Sequence, residues 1–119
     1  MSGTSPISTS ISHDDGIAVL TVSGEVDLST VPSLEAAIEE ALAANPKALI
    51  VDLTAVDFLA SAGLQTLVAT RQRLGDGTGF AVVAAGPATA RPIELTGLAE
   101  LLTVRPTIGE AMAALPTLG

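Results

Sequence analysis

An α/β domain, a sheet with parallel strand pairs and helices packed on it, is the fold that this sequence predicts, on three observations. Apolar residues switch repeatedly between a strand-like period of two and a helix-like period between three and four. Two runs, Ala48–Leu53 and Phe80–Ala85, are apolar at strand length apart from Asp52, as strands buried on both faces are. The 119 residues suit one domain with a real core, and no internal repeat, linker or low-complexity tract divides them.

Each element has its own signal. Residues 6–12 read as an edge strand, and the Asp-Gly step within His13-Asp14-Asp15-Gly16 marks a turn. A second strand covers Ile17–Ser23. Leu34, Ala37, Ile38, Ala41 and Leu42 recur at helical spacing, with Ser29 or Thr30 as the cap and Pro32 tolerated in the first turn. Asn45-Pro46 ends that helix. The strand Ala48–Leu53 should give way to a short polar turn, after which Phe58-Leu59-Ala60-Ser61-Ala62-Gly63-Leu64 opens a second helix. Leu64, Leu67, Val68 and Leu74 mark its apolar face from about Ser61 to Leu74, and Gly75-Asp76-Gly77-Thr78-Gly79 breaks it. Phe80–Ala85 is the next strand, followed by a short helix near Thr89–Leu95 and a weak strand near Leu101–Arg105. Thr107-Ile108-Gly109-Glu110 has capping-box spacing and opens a last helix to about Leu115. Leu53, Phe58, Leu64 and Leu67 flank the strand-to-helix turn on its apolar side and are expected to converge in the core.

Composition narrows the function. Five Lys and Arg stand against thirteen Asp and Glu, a net charge of −8 that argues against direct binding of nucleic acid, since phosphate contacts need cations. No apolar run approaches the ~20 residues of a membrane span. Residues 1–5 read as a flexible tail, and Met1–Pro6 has no apolar, basic-flanked signal segment, so a cytoplasmic protein without membrane partners is expected. With no cysteine there is no disulfide, thiolate or Cys-ligated metal. His13, the single histidine, lies in a polar turn far from Ser61 in sequence, which disfavours a metal site or a Ser-His-Asp triad. A small hydrolase using Ser61 lacks a base, so the chain is expected not to be an enzyme and to need no cofactor. Gly75, Gly77 and Gly79 follow a helix and precede a strand, the reverse of a phosphate-cradling loop. Gly86-Pro87-Ala88-Thr89 lacks the Lys and further glycines of such a loop and reads as a plain helix start.

The segment Ala48–Leu64 carries the functional signal, because it places one hydroxyl, Ser61, at a helix N-terminus. Unpaired amides and the positive end of the helix dipole favour an anion there, and Ser is itself a preferred N-cap. The arrangement resembles the STAS family of anti-anti-sigma factors (anti-sigma factor antagonists). In that family an apolar-Asp-apolar strand end is followed by Phe-apolar-Asp-Ser-Ser/Thr-Gly-Leu, with the regulatory phosphoacceptor among those hydroxyls. Here Ala60 and Ala62 replace the Asp and the second hydroxyl, leaving Ser61. Val22-Ser23-Gly24-Glu25-Val26-Asp27-Leu28-Ser29-Thr30 resembles the family's Gly-Glu-apolar-Asp element. Leu95-Thr96-Gly97-Leu98 resembles a third, a helix end before an apolar stretch.

The resemblance implies a single STAS domain over residues 1–119: a four- to five-stranded mixed sheet with about four helices packed mainly on one face. It implies binding to an anti-sigma factor of the ATP-binding serine-kinase type, which frees a sigma factor. Phosphorylation at Ser61 would break the contact and a phosphatase would restore it. The partner-binding face would comprise Glu25, Asp27, Leu28, Ser29, Thr30, Ala60, Ser61, Ala62, Gly63 and Leu64. Within it, the small Gly63 would let a partner or phosphate approach the backbone closely. The two alanines also admit a STAS accessory or adaptor subunit, a lipid-transport ATPase partner or signalling scaffold, that phosphorylation does not regulate.

Overall fold

The computed structural model of the protein describes residues 7–115; the tail expected at residues 1–5 lies outside them. Five strands form one sheet in the order β1-β2-β3-β4-β5: Ile7–Asp14, Ile17–Val26, Ala48–Leu59, Gly79–Val83 and Val104–Arg105. β1 and β2 are an antiparallel hairpin, and every later pairing is parallel. Asp15 and Gly16 both have positive φ, as the two-residue turn of a tight hairpin requires.

The helices are α1 (Val31–Leu42), α2 (Ser61–Leu74), α3 (Ala90–Leu95), α4 (Ala99–Leu102) and α5 (Ile108–Ala114). From β2 onwards each parallel strand is added on the same side of its predecessor. Right-handed crossovers then deliver every connecting helix to one face of the sheet. Accordingly α1 to α4 share a single core with that face, centred on Leu20, Leu34, Leu49, Leu67, Ile93 and Leu102. Among the described residues the opposite face carries one helix, α5, which packs Ala111 on Val19, Ile50, Ala81 and Val83. β3 and β4 are thus covered on both sides where they are most apolar.

Several expectations are corrected. The polar turn after Leu53 does not exist: β3 continues to Leu59. It can do so because it carries two extra residues relative to β2, one between Asp52 and Ala55 and one between Val56 and Phe58. The first bulge coincides with a local device, Asp52 accepting the amide of Thr54 at 3.0 Å and its hydroxyl at 2.8 Å. With the register shifted twice, Phe58 faces away from the core and is 51% exposed, while Leu53, Leu64 and Leu67 are buried as expected. β2 also runs three residues longer than expected, to Val26. The weak strand near Leu101 is instead the helical turn α4 followed by a two-residue β5. The third motif is the close of α3, where Gly97 (φ +77°) lets the Gly97 amide reach Glu94 O at 3.0 Å and the Leu98 amide reach Ile93 O at 3.2 Å. These two bonds make a Schellman cap. At α5 the expected cap is present, Thr107 Oγ1 accepting the Glu110 amide at 3.1 Å.

Candidate functional site

β2 and β3 end together, Val26 opposite Leu59, and the amide of Ala60 donates to the Val26 carbonyl at 2.8 Å. That single bond seats the start of α2 beside the turn that leads into α1, so the two segments singled out by sequence meet at one rim of the sheet.

The turn is held by Asp27. Its Oδ1 accepts the amides of Ser29 at 3.0 Å and Thr30 at 3.1 Å and the Ser29 hydroxyl at 2.7 Å. In return the Asp27 amide donates to Thr30 Oγ1 at 2.9 Å, and that hydroxyl donates onwards to the Glu25 carbonyl. This is the reciprocal logic of a capping box, placed one turn ahead of α1. Thr30 therefore occupies the cap position of α1 without capping it by its side chain, contrary to the expected Ser29 or Thr30 cap. The Ser29 hydroxyl, with the Thr30 and Ser29 amides behind it, outweighs desolvation and holds the Asp27 carboxyl below its ordinary pKa. A depressed folded-state pKa contributes stability that is present above the ordinary carboxylate value and lost as the pH falls through the folded value. Unfolding midpoints of the parent and Asp27→Asn should therefore differ by a constant amount near neutrality and converge as the solution is acidified below about pH 4. A gap that widens with acid would contradict this role.

Ser61 is the first residue of α2 and is exposed. It is not the cap: Ala60, with extended φ and ψ, holds that position and has no side-chain oxygen to offer. The first turn also has no acidic residue, so its positive end is uncompensated by the chain. Around Ser61, Glu25, Leu28 and Ser29 are exposed, Leu28 at 80%, and Asp27, Ala60 and Ala62 are partly so.

Thr30, Gly63 and Leu64 are buried and support this surface from beneath. For Gly63 the expected reason for smallness is corrected. A Cβ there would lie 2.6 Å from Val26 Cγ1 and 2.8 Å from Leu59 Cδ1, so glycine lets α2 close on the strand ends rather than admitting a partner. Gly63→Ala should destabilise the protein by about 1–3 kcal/mol despite the better helix propensity of alanine. An unchanged denaturation midpoint would refute that packing.

Two features escaped the sequence reading. Phe58, the register neighbour of Glu25, adds a large exposed ring to the rim. A groove of about 330 Å³ also starts at Ser61 and runs along α2 past Gln65 and Val68 to Thr96 and Leu98. The spacing of Ser61, Gln65, Val68 and Gln72 already marks a second helical stripe beside the core stripe, and that was the available signal. His13 pairs with Ala18 at the start of β2, the end of the sheet away from Ser61. Among the described residues no His, Cys, Asp and Glu cluster suits a metal, and no helix is long and apolar enough to cross a membrane.

Residues 8–111 match the STAS domain. The chain is 44% identical over 112 residues to the anti-sigma-F factor antagonist RsfB of Mycobacterium tuberculosis (strain CDC 1551 / Oshkosh), covering 94% of this chain and 92% of that one. It is similar to the crystal structure of an anti-sigma factor antagonist from Mycobacterium paratuberculosis, with a TM-score of 0.87, 50% identity, and 92% and 93% of the two chains covered. The anti-sigma factor antagonist SpoIIAA in its unphosphorylated form shares the fold at a TM-score of 0.67 and 18% identity, over 88% and 93% of the chains.

Proposed function

The chain belongs to the STAS domain family, and from that premise we propose that it is an anti-sigma factor antagonist, a regulatory binding module and not an enzyme. Its partner is an anti-sigma factor of the ATP-binding serine-kinase type, and binding that partner releases a sigma factor. Phosphorylation of Ser61 breaks the contact, and a phosphatase restores it.

The observation that carries this reading is the rim itself. Ser61 stands exposed on an uncapped helix start, clamped by the Ala60–Val26 bond beside the exposed Glu25, Leu28 and Ser29. Leu28 and Phe58 are exposed apolar side chains that a partner can bury, and a few buried side chains carry much of an interface's binding energy. A phosphate at Ser61 adds about −1.5 to −2 charges at neutral pH. The uncapped amides of α2 accommodate that charge in the free protein. In the complex the same charge is desolvated at an interface already acidic from Glu25 and Asp27, or is set against the kinase's nucleotide. Binding is therefore lost while the fold is kept.

Reconstitution tests this. The protein, mixed with a serine-kinase anti-sigma factor bound to its sigma factor, should displace the sigma factor on size-exclusion chromatography. Incubation with ATP should abolish the displacement, and phosphatase treatment should return it. Capture of a transport ATPase subunit with no displacement of sigma factor would instead favour the adaptor reading that Ala60 and Ala62 leave open.

A further inference from the structure

β1 is an edge strand of eight residues, Ile7–Asp14, that pairs with β2 along its whole length with no register shift. Natural sheets protect such edges with Lys, Pro, a bulge or very short length. Between Ile7 and Ser12 this strand has none of them: the sequence is Ile-Ser-Thr-Ser-Ile-Ser, and Ser8, Thr9, Ser10 and Ser12 are exposed. The opposite edge, β5, is only two residues long and follows the rule.

The hairpin turn fixes which backbone groups face outwards. In a two-residue hairpin the flanking residues, Asp14 and Ile17, exchange both ladder bonds, so Asp14, Ser12, Ser10 and Ser8 turn their amides and carbonyls to β2. Thr9, Ile11 and His13 then direct theirs away from the sheet. An extended chain of antiparallel sense would satisfy them all.

The geometry points to a second copy of this chain as that occupant, paired β1 to β1 about a two-fold axis normal to the sheet at Ile11. That register sets Ile11 against Ile11, Thr9 against His13, Ser10 against Ser12 and Ser8 against Asp14. Directly opposed residues are then apolar with apolar or polar with hydroxyl, and no carboxylate meets a carboxylate. Ile11, half-buried on the face that carries α1, gains an apolar neighbour of its own kind. The net charge of −8 opposes association, but at physiological ionic strength charges more than about 8 Å apart are largely screened. One strand pair is a small interface, so the dimer is weak, with a dissociation constant on the order of micromolar to millimolar. β1 lies at the side of the sheet, and this pairing is independent of the partner reading at Ser61.

Sedimentation equilibrium of the full chain up to about 1 mM, the range such small interfaces need, should show a monomer–dimer equilibrium. Thr9→Pro removes one outward amide from each copy and leaves the β1–β2 ladder intact, so it should weaken the dimer about tenfold or more. Thr9→Lys, which restores an edge charge without constraining the backbone, should do the same and guards against a folding defect in the proline variant. Amide exchange adds a residue-level readout. The amides of Thr9, Ile11 and His13 should gain protection as concentration rises, while those of Ser8, Ser10 and Ser12 are protected throughout. A chain that stays monomeric at every concentration would overturn the proposal. So would a dimer that both variants retain, or exchange at Thr9, Ile11 and His13 that does not depend on concentration.

Discussion

Leu67→Ala should be among the most damaging single truncations in the protein, costing about 2–5 kcal/mol of unfolding free energy. Leu67 is fully buried on α2 in the core that joins α1 to α4 with the sheet. The loss adds the transfer energy of the deleted methyl groups to the cavity left behind, and a close-packed interior relaxes only in part. With aromatics at 2% of the sequence and Phe58 turned outwards, no large ring can slide in to fill the gap except Phe80, which is already packed. The midpoint of thermal unfolding should fall by on the order of 10 °C. Phe58→Ala is the control. Because that ring is half exposed, its loss should move stability far less, while weakening partner affinity by about 1 kcal/mol or more if it anchors the interface. Equal destabilisation by the two substitutions would show that the phase of β3 or of α2 is wrongly drawn.

The contrast between those residues shows how far the sequence could be read. α2 was legible to the residue, Ser61 to Leu74, because its apolar spacing is regular and a glycine-rich stretch stops it. The hairpin and the last helix were legible from turn and cap chemistry, which acts over a few residues. β3 was not legible beyond Leu53. Its two bulges replace strand alternation by a run in which every third residue, Val56 and then Leu59, is buried, and nothing local distinguishes that from a turn. The cap assignments at α1 and α2 failed for a related reason. Ser61 follows an alanine that takes the cap position with an extended backbone and no side-chain oxygen, and Thr30 spends its hydroxyl on Glu25 and Asp27 rather than on α1. Side-chain hydrogen bonds of this kind depend on where a chain turns, which propensity alone does not fix. The residues of the candidate rim were visible as motifs, but which of them are exposed and which are buried was set by tertiary packing at Val26 and Leu59.

Ser61→Glu should have the largest effect on binding. A carboxylate in the first turn of α2 is favoured by about 0.3–1 kcal/mol, so the fold should be as stable as the parent or slightly more. Ser61→Ala should be nearly neutral, within about 0.5 kcal/mol, since the hydroxyl is exposed and does not cap the helix. Any difference between the two in partner affinity is then a matter of charge at the rim and not of folding. The deciding measurement is calorimetric titration of the serine-kinase anti-sigma factor with parent, Ser61→Ala and Ser61→Glu protein, alongside mass spectrometry of each after incubation with that kinase and ATP. The parent should carry a phosphate on Ser61 and Ser61→Ala none. Ser61→Ala should bind with parent-like affinity, and Ser61→Glu should lose on the order of 2 kcal/mol, the scale of a buried interface hot spot. Ser61→Glu binding as tightly as the parent, or a phosphate on Thr54 with Ser61 unmodified, would contradict Ser61 as the switch.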